Sequence, residues 1–103
     1  MTPKQIAALA IHIVCKNFGI APCELIGPCR KFETRVWPRW IVVRLMSKQE
    51  LTNTVIANAL GMHRSNITNG ILGARLEMEQ SEKRLLQFNR IQAEFVEVIN
   101  KVK

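Results

Sequence analysis

The segment VIANALGMHRSNITNGI, residues 55–71, constrains this chain more than any other. Two helices cross at close range only where one of them carries a small residue. The turn between them needs a residue that tolerates positive φ, and the second helix needs a buried aliphatic to close the contact. Ala57, Gly61 and Ile67 stand at the matching offsets, with Ile56, Leu60 and Met62 as the apolar contacts between them. The segment reads as a helical hairpin over about residues 54–79, its second helix starting near Arg64 or Ser65.

The flanking sequence is also helical in pattern. Thr2-Pro3-Lys4-Gln5 has the form of a capping box, with Thr2 as N-cap and Pro3 at the first helical position. Ile6, Leu9, Ile13 and Val14 then mark an apolar stripe, and Gly19 marks its end. Ala21 to Gly27 is a single helical turn between a proline start and a glycine stop, and Pro28 to Arg35 reads as a basic loop. Pro38 opens the next helix, because inside one it would remove a hydrogen bond and crowd the preceding turn. That helix should run to about Glu50. Ile41-Val42-Val43 would also suit a strand, but no partner strand exists. The last helix covers about residues 81–101, with Leu85, Phe88, Ile91, Phe95, Ile99 and Val102 along one side, widened by Val96 and Val98. The stripe is too short for a sustained heptad pattern and reads as core. Gly70 and Gly73 weaken the second hairpin helix by roughly 1 kcal/mol each, which suits a close approach by another backbone. The expected fold is all-α: one domain, residues 1–103, of five to six helices.

Charge points to a class of partner. Lysine and arginine number 15 against 8 acids, for a net +7, a balance that favours a polyanion. Arg30, Lys31, Arg35, Arg39, Arg44 and Lys48 fall in one stretch opposed only by Glu33, just ahead of the hairpin. A hairpin of this form can push its second helix into a DNA major groove. There Arg64 can chelate guanine, Asn66 or Asn69 can pair with adenine, and Ser65 and Thr68 can reach base or phosphate. His63 suits the backbone. Arg30, Lys31, Arg35 and Arg39 suit phosphate or the minor groove, while Arg44 and Lys48 read as exposed. Trp37 and Trp40 read as core or half-buried anchors rather than stacking platforms.

From about Ile6 to Ile99 the chain resembles the carboxy-terminal DNA-binding domain of the bacterial replication initiator DnaA. Val14-Cys15-Lys16-Asn17-Phe18-Gly19-Ile20 through Glu24-Leu25-Ile26 is similar to the family's first helix, Tyr-Tyr turn and Asp-Leu-Leu segment. Arg30-Lys31 falls in its basic loop, and Trp37-Pro38-Arg39-Trp40 stands where the family has Arg-Pro-Arg-Gln. Ile56 to Ile67 overlays its signature region, with a turn one residue shorter and Arg64-Ser65-Asn66 in place of His-Thr-Thr. The resemblance implies Arg30 or Lys31 in a minor groove, Arg39 on phosphate, and Arg64, Ser65 and Asn66 as base readers. No GxxxxGK[ST] occurs in these residues, so the ATP binding of the family's nucleotide-binding domain is not expected of them.

These readings define a stand-alone, cytoplasmic, nucleoid-associated module for double-stranded DNA, in replication control or transcription. A Trp-repressor-like regulator that dimerises through the last helix, and a module whose basic face meets an acidic protein, are the alternatives. No nucleophile motif or paired acids suggest an enzyme or a small-molecule substrate. Cys15, Cys23 and Cys29, with His12 and His63, fit no metal-ligand spacing and read as reduced thiols. No cofactor is expected. The apolar run Ile6 to Cys15, about ten residues, is too short to span a membrane.

Overall fold

The computed structural model describes residues 2–26 and 32–102, the side chains of 32–35 and 102 excepted. The chain order is α1 (Pro3–Phe18), α2 (Pro22–Leu25), α3 (Phe32–Ser47), α4 (Asn53–Leu60), α5 (Arg64–Gln80) and α6 (Glu82–Val102). The fold is an all-α bundle of six helices, and the expected fold class holds. At the first helix the local chemistry appears as read: Thr2 accepts from the Gln5 N–H, the Gln5 side chain accepts from the Thr2 N–H, and Gly19 ends α1 in the left-handed region at φ 65°.

α3 is the centre of the molecule and packs against every other described helix. Ile41, Val42, Val43, Leu45 and Met46 are all fully buried. A helix enclosed on all sides loses its polar stripe, which is why this segment also resembled a strand. Phe88, Ile91, Phe95 and Ile99 of α6 join Ala10, Ile13 and Val14 of α1 and Ile56 and Ile67 of the hairpin in the same core. The stripe on α6 is thus turned inward. Leu85 and Val96, expected within it, are instead 39% and 37% exposed, because they lie at its edges.

Two boundaries differ from expectation. Pro38 lies inside α3, and the turn before it, including the backbone of Arg35, is helical rather than loop. An interior proline costs about 3 kcal/mol. Burying Trp37, Ile41, Val42, Leu45 and Met46 returns roughly 1.5–3 kcal/mol each, so packing outweighs the break. At the other end α3 stops at Ser47, short of Glu50. Gln49 and Glu50 donate to the carbonyls of Met46 and Ser47 in a tightened turn, and Glu50 enters the left-handed region at φ 62°.

Between α1 and α6 a polar clasp forms at the surface. The Lys16 ammonium pairs with Glu94, and Asn17 donates to Glu94 Oε1 at 3.2 Å and to the Ile13 carbonyl at 2.8 Å. The Lys16 hydrogen bond holds the Glu94 carboxyl below its ordinary range. Asn17 and the positive charge of Lys16 and His12 add to this, and partial burial opposes it. A carboxyl whose pKa is lower folded than unfolded stabilises the fold above the unfolded pKa, about 4.3, and loses that contribution as pH falls through the folded value. Glu94→Gln should therefore be less stable than the parent at pH 7, with the difference smaller at about pH 3. Urea unfolding at the two pH values checks this.

Candidate nucleic-acid interface

The α4–α5 hairpin is built as its residue types dictate. Thr52 caps α4 by accepting from the Val55 N–H at 3.3 Å, and the helix starts one residue before the expected position. Gly61 ends α4 at φ 66°, donating to the Ala57 carbonyl, and Met62 donates to the same oxygen at 3.0 Å. A Cβ at position 61 would meet no neighbour, so glycine is favoured there for its backbone conformation rather than for space. Ala57 and Ile67 are buried, as are Ile56 and Leu60, and Met62 is half-buried.

His63 is the extended N-cap of α5. Its side chain makes no cap, and its carbonyl accepts from Asn66 and Ile67. With Ile67 anchored inward, Arg64, Ser65, Asn66, Thr68 and Asn69 are all exposed on the first turns of α5. Among the described residues the Arg64 side chain has no hydrogen-bond or ion-pair partner. Thr68 is held: its hydroxyl lies 3.4 Å from the Arg64 carbonyl and accepts from Asn53 Nδ2 at 3.2 Å. Asn53 is the first residue of α4. Its link to Thr68 joins the start of α4 to the exposed face of α5, a contact between residues fifteen apart that no local pattern carries.

The basic stretch divides. Arg30 and Lys31 lie outside the described residues, as does the side chain of Arg35. Arg39, expected on a phosphate surface, is 7% exposed and donates through Nε to the Leu25 carbonyl at 2.9 Å. It ties the end of α2 to α3 from inside the molecule. Arg44 is half-buried, and Lys48 is exposed.

Comparison with protein-family models, curated proteins and solved structures returned no significant match. The initiator resemblance therefore stands on the quoted residues alone.

Both tryptophans are anchors. Trp37 is buried, donates through Nε1 to Gln87 Oε1 at 2.9 Å, and carries the Arg84 guanidinium 5.1 Å from its ring centroid. Trp40 lies over the glycines of α5. A Cβ at Gly73 would fall 2.6–2.8 Å from three Trp40 ring carbons, and one at Gly70 would lie 3.3 Å from Trp40 Cδ1. The glycines thus admit an indole, not the backbone that their spacing suggested.

Cys15 is buried, and Cys23 is exposed; neither forms a disulfide. Burial, then the nearby Glu24 charge, pushes the Cys15 thiol above its ordinary range, which makes it a poor nucleophile. Among the described residues no His, Cys, Asp and Glu group could hold a metal ion, and no helix is long and apolar enough to cross a membrane.

Proposed function

We propose that this protein binds double-stranded DNA in a sequence-specific manner, with α4–α5 acting as a helix-turn-helix and the first turns of α5 entering the major groove. The observation that carries this is the exposed, contiguous set Arg64, Ser65, Asn66, Thr68 and Asn69 on a helix start whose Ile67 is fully buried. These are side chains with the donor and acceptor geometry that base edges require, and the net charge of +7 supplies attraction to phosphate. Arg30, Lys31, Arg35 and His63 are the candidates for the backbone and minor groove. In the initiator-like reading, the module marks a site in replication control or transcription.

If about six phosphates are neutralised, log affinity should fall against log salt with a slope near −5. Fluorescence anisotropy on a short duplex between 50 and 300 mM salt measures it, and a flat plot or no binding at low salt ends this reading. Selection of bound duplexes from a random library supplies the target. Repeating it with Arg64→Ala should weaken binding to that target by about tenfold or more and relax preference at one position, as loss of a bidentate base contact does. A uniform loss across all sequences would make Arg64 a phosphate contact. Unchanged affinity and preference in both Arg64→Ala and Asn66→Ala would favour an acidic protein as partner.

A further inference from the structure

A second basic feature lies away from the reading face. Where α3, α5 and α6 meet, a cleft of about 430 Å³ is lined by Arg44 of α3, Lys48 just beyond its end, Arg75, Met78 and Glu79 of α5, and Leu85 and Phe88 of α6. Arg75 is eleven residues beyond Arg64, about 16 Å along the same helix.

Its charges do not balance. Glu79 is taken by Arg75 at 3.3 Å, and among the described residues no carboxylate pairs with Arg44 or Lys48. Lys48 Nζ stands 6.0 Å from the centroid of the Phe88 ring. Arg44 is half-buried at the cleft wall, and its Nε, closed to solvent and so to any ligand, has no acceptor. Beside these donors the wall is apolar, formed chiefly by Met78 and Leu85. A concave site with an apolar wall and a few convergent polar groups is the usual form of a small-molecule pocket.

We propose that this cleft binds a small organic anion with an apolar body, of which an aromatic carboxylate is the simplest form. The anionic head meets Arg44 and Lys48, and the body covers Met78 and Leu85. An inorganic anion would leave that wall bare, and a neutral hydrophobe would leave the cations unmatched.

The test uses 2-naphthoate titrated into the full chain, followed by amide NMR shifts and calorimetry. Saturable one-to-one binding is expected, with shifts centred on Arg44, Lys48, Arg75 and Phe88. The uncharged 2-naphthalenemethanol, acetate and inorganic phosphate should each bind at least tenfold more weakly. Arg44→Gln should weaken naphthoate binding at least tenfold. The exposed position is the safeguard should that variant fold poorly, and Lys48→Met should weaken binding at least threefold. Non-saturating shifts, equal binding of the alcohol or of phosphate, or unchanged affinity in Lys48→Met would overturn the proposal. Displacement of naphthoate by duplex DNA, with direct contact to Arg44 and Lys48 in the complex, would overturn it too, by giving those cations to phosphate.

Discussion

Trp40→Ala should lower the stability of this protein by about 3 kcal/mol or more, the range for removing a large aromatic from a packed site. Trp40 fills the groove between α3 and α5, and its ring stands where a Cβ at Gly73 would fall. That contact gives a second expectation opposite in sign to helix propensity. In an open helix Gly→Ala stabilises by about 1 kcal/mol. Here Gly73→Ala should destabilise by about 1–2 kcal/mol, because an indole ring cannot move aside as a flexible chain end can and overpacking costs about 1–3 kcal/mol. With Trp40 truncated the obstacle is gone, so Gly73→Ala should become neutral or stabilising in the Trp40→Ala background. A thermal or urea double-mutant cycle should then report a coupling of roughly 2 kcal/mol. Additive effects would mean that the ring and the glycine do not share the space.

The same pair shows how far sequence reasoning reached. Gly70 and Gly73 announced a close approach three residues apart, but glycine spacing cannot say what approaches. The signal for the answer lay in Trp40, thirty positions earlier, and only the crossing of α3 with α5 joins the two. Local chemistry was legible where the cause is local: the Thr2–Gln5 box, the left-handed Gly19 and Gly61, and the buried Ala57 and Ile67 of the hairpin all follow from residues within a few positions of one another. Pro38 misled for the opposite reason. Its local penalty is real, but the burial that outweighs it comes from five helices packing around α3. The exposed polar set Arg64, Ser65, Asn66, Thr68 and Asn69 was legible because Ile67 fixes which way the helix faces. Arg44, Lys48 and Arg75 were not legible as a group, since they converge only through the packing of separate helices.

Arg39 is where position in a basic stretch and position in the fold separate. A phosphate contact must be reachable, and this guanidinium is buried with its Nε on the Leu25 carbonyl. Arg39→Met keeps much of the aliphatic stem but removes the donor. It should cost about 2–3 kcal/mol, the worth of a charge-assisted hydrogen bond whose acceptor is left behind. Arg39→Lys should restore only part of that, because its ammonium sits one bond beyond the Nε position and cannot reproduce the planar donor set. Chemical unfolding of the three proteins measures both differences. The functional readout runs the other way. At a temperature where all three are folded, Arg39→Met should leave the salt slope of duplex binding unchanged, since no phosphate neutralisation is lost. A slope reduced by about 1, with stability intact, would return Arg39 to the phosphate surface that its neighbours in sequence suggested. The expected outcome, a stability loss with an unaltered slope, makes Arg39 a strut that sets the angle between α2 and α3. Contact with the phosphate backbone would then fall to cations elsewhere on the molecule.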